Sequence, residues 1–227
     1  RREQLIDWET GFEFKKPKYA INANVYYMDY KDQLVLTGKI NDVGAYTRIN
    51  VPKSYRAGIE LQLKYALNKK YNTSYSITFS QNKIEEFTEY IDDYDQFTQV
   101  AIQHKNTNIA LSPSLTTNRT FNWKPNDKFS FFWTTKYTSK QFLDNTENKT
   151  RILDSYFIND INVHWTILNK PKFNMLLQLY ANNILNVQYA PNGYTYSYIY
   201  DGSVTTSNNY YPMAGRNYWV SIKIDLK

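Results

Sequence analysis

A period of two runs through most of the chain, and it limits the fold more than any other feature. From Tyr218 the residues Tyr218, Val220, Ile222, Ile224 and Leu226 are apolar. Ser221, Lys223, Asp225 and Lys227 between them are polar, with Trp219 the exception. From Ser54 to Leu67 one set is Tyr55, Ala57, Ile59, Leu61, Leu63, Tyr65 and Leu67, and the other is Ser54, Arg56, Gly58, Glu60, Gln62, Lys64 and Ala66. The alternation returns in Tyr19 to Tyr30, Tyr71 to Ser80, Phe129 to Thr138, Phe157 to Ile167 and Phe173 to Asn182. Successive side chains of a strand point to opposite faces, whereas a helix would repeat at three and four. The chain is therefore expected to be all-β, each strand with one greasy and one wet face.

The greasy face must lie against a protein core or against lipid. About nine strands of roughly 8 to 15 residues are expected. They are longer than the usual globular strand and match the tilted strands of about 10 residues that cross a bilayer. Connections alternate in length. Lys15-Lys16-Pro17-Lys18, Asn68-Lys69-Lys70, Lys124-Pro125-Asn126-Asp127 and Asn169-Lys170-Pro171-Lys172 are short, polar and Lys-bearing, while 31–52, 84–106, 141–151 and 186–214 are long. Short turns at one end and long loops at the other describe an antiparallel transmembrane β-barrel. Tyr55 and Tyr65 bracket Ile59, Leu61 and Leu63, and Phe129 and Tyr137 bracket Phe131 and Trp133, as aromatic girdles bracket an apolar band. The 22 Tyr residues suit such water–lipid boundaries. A soluble sandwich also alternates, but its outer face carries more charge than these Ser-, Asn- and Thr-rich faces.

Composition narrows the partners. No apolar run approaches the roughly 18 residues of a spanning helix, and Arg1 and Arg2 are followed by Glu3 and Gln4 rather than by a signal-peptide core. The absence of Cys excludes disulfides and thiolate metal sites. The net charge of +6 is scattered, with no stripe suited to nucleic acid. The first strand, near Trp8 to Phe14, and the last, near Tyr218 to Leu226, run toward the same end, so closing them on each other would pair parallel strands. Bacterial single-chain barrels are antiparallel with an even strand number, and open edges in lipid leave backbone groups unpaired. Further strands are therefore expected before Arg1, and an aromatic residue is expected beyond Lys227.

The stretches DWETGFEF, ANVYYMDYKDQLVLTGKINDVG, NVPKSYRAGIELQLKY, LYANNILNVQYAPNGYTY and YYPMAGRNYWVSIKI resemble the closing strands of TonB-dependent receptors, particularly those of Bacteroidetes. SYRAGIEL and ANNILNVQYAPNGYTY are the most specific. The resemblance implies that residues 1–227 are the carboxyl-terminal portion of an outer-membrane barrel of roughly 22 strands, with the plug domain and TonB-box elsewhere. It implies TonB-dependent import of a scarce substrate: a ferric siderophore, haem, cobalamin, a glycan or a peptide. The implied partners are outer-membrane lipid, the TonB complex through a region amino-terminal to this one, and a surface lipoprotein. No catalytic role, cofactor, metal or nucleic-acid partner is expected.

Several residues stand out as binding candidates. Tyr194, Tyr196, Tyr198 and Tyr200 alternate in a long connection, and rigid rings with hydroxyls bind at little entropic cost. Arg56, Glu60 and Lys64 fall on the wet face, as do Asp160 and His164, so a lumenal network or plug contact is expected for them. Glu85, Glu86, Glu89, Asp92, Asp93 and Asp95 crowd one connection; they suggest a divalent cation or, more plainly, a solvated loop. No nucleophile–base pair or phosphate-cradling glycine loop is evident. The alternatives are a passive porin-like barrel and a soluble carbohydrate-binding β-protein. An upstream plug would argue against the first, and extraction without detergent would support the second.

Overall fold

The computed structural model describes residues 2–226 and contains fourteen strands, β1 to β14. Nine of them form one antiparallel meander: β1 (Gln4–Lys15), β2 (Tyr19–Ile40), β3 (Tyr46–Asn68), β4 (Tyr71–Asp93), β6 (Leu115–Asn126), β7 (Phe129–Thr138), β10 (Tyr156–Lys170), β11 (Phe173–Asn182) and β14 (Asn217–Leu226). The remaining strands are accessory. β5 (Thr98–Asn108) continues the line of β6 along the upper part of β4. β8 (Gln141–Phe142) and β9 (Ile152–Leu153) pair with each other, and β12 (Asn192–Tyr200) pairs with β13 (Ser203–Tyr211). The four Lys-bearing connections are the tight turns β1–β2, β3–β4, β6–β7 and β10–β11.

The greasy face meets no second sheet. Val25, Ile59, Phe79, Trp165, Leu179, Val220, Ile222 and Ile224 all project outward exposed, with Val220 at 63% and Ile59 at 44%. These positions align across strands: Val25 opposes Ile59, and Ile59 opposes Phe79. A soluble sandwich would bury this set, so that alternative is set aside. A continuous exposed apolar band of this size needs lipid to cover it. The opposite face carries Asn22, Asn24, Gln62, Glu60, Ser76 and Thr78 in register. Gly58 lies in that wet row because Tyr26 lies across it; a Cβ there would sit 2.5 Å from the Tyr26 hydroxyl and 2.6 Å from the Phe79 carbonyl.

One charge breaks the band. In β6 the outward set is Leu115, Thr117, Arg119, Phe121 and Trp123, which places Arg119 four residues from either end of that set, on the hydrocarbon side. Its guanidinium lies 5.4 Å from the Tyr75 ring centre and 5.6 Å from that of Trp133, and its Nε is buried with no hydrogen-bond partner. Two aromatic faces take the place of water there.

Two of the long connections expected from the sequence are mostly strand. β2, β3 and β4 have 22, 23 and 23 residues, roughly twice what a bilayer crossing needs. Their upper halves stand beyond the membrane as a twisted ribbon, leaving only 41–45 and 94–97 as tips. The inward-facing phase slips by one residue at two places. Below Asp32 the wet set of β2 is even-numbered; above it Gln33, opposite Val51, and Val35, opposite Ile49, turn inward and are buried. Asp32 has φ 53°, and Pro52 lies across from it. Likewise Asn106 in β5 has φ 53°, and beyond it Phe87 and Glu89 replace the even-numbered inward series of β4. Asp and Asn tolerate this left-handed conformation better than other residues with a side chain. The slips bring Val35, Val51, Ile84, Phe87 and Ile109 together as a small apolar core above the membrane. The aromatic residue expected beyond Lys227 lies outside the described residues.

Candidate functional site

The upper ribbon is roofed from inside by two segments, residues 141–153 and the β12–β13 hairpin. The first comes close because of Gly38, which has φ +87°; a Cβ there would sit 2.5 Å from the Leu143 carbonyl oxygen. Leu143 and Asn145 are fully buried. The Asn145 side chain donates to the Leu36 carbonyl at 2.6 Å and accepts from the Ala110 amide at 2.8 Å, which ties the roof to β2 and to the segment after β5.

Between roof and ribbon lies a partly open cavity of 120 Å³, lined among others by Thr37, Thr47, Phe87, Glu89, Asp144 and Arg151. Arg151 organises its charged side. Its Nη1 donates to Glu89 Oε1 at 2.6 Å and to Asp144 Oδ2 at 2.7 Å, and its Nη2 donates to Ser197 Oγ at 2.8 Å. The three charged side chains are only 5%, 9% and 7% exposed. Burial alone would lower the Arg151 pKa, but the hydrogen bonds and charges of Asp144 and Glu89 outweigh it and hold the pKa above its ordinary value. Glu89 Oε2 meets His104 Nε2 at 3.1 Å, and Asp144 Oδ1 accepts the Thr146 amide and hydroxyl at 3.0 and 2.7 Å. The network joins β4, β5, the roof segment and β12, and every carboxylate oxygen in it has a partner from the protein. Its chemistry is structural: it fixes the shape of the outer vestibule.

The acidic run from Glu85 to Asp95 is therefore not a cluster. Glu85 pairs with Lys53 at 2.7 Å and Glu86 with Lys105 at 3.8 Å, while Glu89 turns inward to Arg151. Asp92 accepts from Gln99, and Asp93 caps its own tip at the amides of Asp95 and Gln96. Asp95 reaches across to accept from the amides of Asp201 at 3.0 Å and Gly202 at 2.8 Å, latching the β4–β5 tip to the β12–β13 tip. Among the described residues no grouping of three or more His, Cys, Asp or Glu is fit to hold a metal ion. Alternation on a strand splits neighbours between two faces, so sequence crowding does not become a chelate.

The four tyrosines do share a face. Thr195 and Ser197 turn inward and are buried, while Tyr196 and Tyr200 are exposed at 44% and 63%. Tyr196 stacks on Tyr198 at 6.4 Å, Tyr198 meets Tyr94 edge-on at 5.7 Å, and Tyr194 lies 6.0 Å from Tyr211. The result is a row of rings above the membrane.

The wet-face residues lie along the wall rather than in one place. Arg56 Nη1 donates to Asn82 Oδ1 and Ser112 Oγ, each at 3.3 Å, and shares a shallow depression with Glu60. Lys64 lies lower, at the short-turn rim. Asp160 Oδ1 accepts the Asn183 amide at 2.8 Å, and His164 lies 3.3 Å from Gln178 and 5.1 Å from the Phe132 ring centre. Among the described residues no ion pair joins Arg56, Glu60 and Lys64. Sequence reasoning missed Arg151 and Asp144, because nothing local marks two polar residues in a Thr- and Asn-rich connection as buried.

Residues 3–184 match the family model described as "TonB dependent receptor-like, beta-barrel". No curated protein sequence matches the chain. Among solved structures the chain is similar to the ferric yersiniabactin uptake receptor FyuA from Yersinia pestis, with TM-score 0.64 and 16% identity over 99% of this chain and 30% of that one. It is also similar to the siderophore receptor PiuA from Acinetobacter baumannii, with TM-score 0.64 and 16% identity over 98% of this chain and 28% of that one. A third similar structure is the copper transporter OprC, with TM-score 0.66 and 16% identity over 99% of this chain and 32% of that one. The chain thus spans about a third of the length of these proteins.

Proposed function

The chain belongs to the TonB dependent receptor-like β-barrel family of the outer membrane, and from that premise we propose that it is the carboxyl-terminal wall of a TonB-dependent importer of a scarce substrate. The observation that carries this reading is the nine-strand meander with its apolar band turned outward, tight turns at one end and a folded vestibule at the other. Beyond the membrane the wall does not end in floppy loops; the Arg151 network holds the roof in one shape. We propose that the exposed rings of Tyr196 and Tyr200 form the substrate-facing part of that vestibule, with Tyr194 and Tyr198 supporting them. Arg56, Glu60, Lys64, Asp160 and His164 would then face the lumen and the plug. The similar structures are named as siderophore and copper receptors, which supports a metal-bearing cargo first; a surface lipoprotein partner and a Bacteroidetes-type origin belong to the same proposal.

The test is uptake by the full-length protein in a strain lacking its own receptors. Ferric siderophores, copper complexes, haem and cobalamin are offered in turn, with and without TonB and with the proton gradient intact or collapsed. Uptake of one of these that stops when TonB or the gradient is lost is the expected result. Uptake that continues unchanged would favour the passive porin instead.

A further inference from the structure

The tight turns hold a charge pattern that import does not use. Lys15, Lys16 and Lys18 lie at the β1–β2 turn, Lys69 and Lys70 at β3–β4, Lys124 and Lys128 at β6–β7, and Lys170 and Lys172 at β10–β11; all nine are exposed. The acid within these turns is Asp127, which lies 3.6 Å from Lys124. The opposite end is different: its tips carry Asp42, Asp92, Asp93, Asp95 and Asp201. The lysines sit immediately beyond the lower aromatic girdle formed by Tyr19, Tyr65, Tyr71, Trp123, Phe129 and Phe173. One ammonium, that of Lys16, lies 5.6 Å from the centre of the Phe14 ring.

Register separates the outer side of the rim from the wet side. Tyr19 at the start of β2 opposes Tyr65, yet β3 runs on to Asn68, so the β1–β2 turn stops short of the β3–β4 turn. The step leaves an open notch of about 480 Å³ on the wet face of the wall, lined by Lys15, Ala20, Lys64, Asn72 and Ser74 among others, and so turned to the lumen rather than to lipid. On the outer side, the turn lysines next to the girdle rings suit phosphate heads whose acyl chains run up the apolar band. The spread of lysines over four consecutive turns also separates lipid from protein as the partner. A folded domain docks on one patch, whereas a leaflet touches the whole rim.

We propose that the short-turn rim is a collar for anionic phospholipid headgroups, carried by the turn lysines beside the girdle. This rests on the barrel spanning a bilayer and not on what it imports. The full-length receptor is released from detergent in native mass spectrometry after equilibration with phosphatidylglycerol, with phosphatidylcholine or with inorganic phosphate. Phosphatidylglycerol should be retained about tenfold more than phosphatidylcholine, with inorganic phosphate not retained. Lys→Gln at Lys16, Lys18, Lys69, Lys70, Lys124, Lys128, Lys170 and Lys172 together should bring the two lipids to near parity, and the Lys→Arg version should restore the preference. Lys39→Gln, Lys105→Gln and Lys149→Gln, at the far end, should leave it intact. Equal retention of both lipids by the unaltered protein would overturn the proposal. So would loss of the preference in the far-end variant, retention of bare phosphate alone, or a rim variant that keeps its lipid but loses a periplasmic protein partner. Each of these readouts is independent of substrate uptake.

Discussion

Replacing Arg151 by Met tests whether the roof is held by charge. The substitution keeps most of the side-chain volume but leaves Glu89 and Asp144, whose side chains are 9% and 7% exposed, without their shared cation. It removes three short hydrogen bonds, of 2.6, 2.7 and 2.8 Å. Removing one member of a buried charged set costs about 3–5 kcal/mol. At 1.4 kcal/mol per tenfold, that raises the local opening constant by roughly two to three and a half orders of magnitude. Hydrogen exchange of the full-length protein in a bilayer mimic should show it at the Leu143 amide, bonded to the Arg151 carbonyl, and at the Leu111 amide, bonded to that of Phe142. Amides of β10 and β11 within the membrane should not change. Arg151→Lys should recover part of the protection, since an ammonium can meet the carboxylates but lacks the planar fork. Adding Glu89→Gln and Asp144→Asn to Arg151→Met should recover more, because the uncompensated buried charge is then gone. Unchanged exchange at Leu143 in Arg151→Met would refute the reasoning, as would a triple variant no better protected than the single one.

Other expectations follow from the same geometry. Ile59→Arg places a charge outward between Tyr55 and Tyr65 and should cost about 2–4 kcal/mol of stability in lipid, measured by denaturant unfolding in vesicles; Glu60→Gln, on the wet side, should cost less than about 0.5 kcal/mol. Arg119→Leu should do the reverse of Ile59→Arg and stabilise the barrel by about 1–2 kcal/mol, because the cost of a cation at this depth exceeds what two ring faces return; a loss of stability in the same assay would mean that those rings, or a partner outside the chain, hold Arg119 more strongly. Asp95→Ala removes the acceptor of the Asp201 and Gly202 amides, so hydrogen exchange should speed up at those two amides by about tenfold or more, with no change at Leu143.

The membrane half of this protein was legible because one rule governs it. Period-two alternation, tight Lys turns and bracketing aromatics gave about nine strands, and the continuous meander has nine. Above the membrane that rule fails at Asp32 and Asn106, where a left-handed residue moves the inward face by one position. A reader following a fixed phase then finds Val35 and Val51 out of place and calls the segment a loop. The acidic connection misled for a related reason: Glu85, Glu86 and Glu89 look clustered in sequence, but the strand sends them to Lys53, Lys105 and Arg151.

Arg119 and Arg151 show what one-dimensional pattern cannot supply. Each is a cation with its Nε buried and without a hydrogen-bond partner, and each is made tolerable by residues far away in the chain. Arg119 meets Tyr75 and Trp133 because β4, β6 and β7 are neighbours in register. Arg151 meets Glu89 because the roof folds back over β4. Hydropathy along β6 or along 141–153 contains neither fact. The two solutions also differ in kind: hydrocarbon leaves Arg119 only ring faces to rest on, while the vestibule gives Arg151 two carboxylates and a hydroxyl. Removing Arg119 should therefore strengthen the wall, whereas removing Arg151 should open the roof, and the opposite signs of those two effects distinguish a lipid-facing surface from a protein interior.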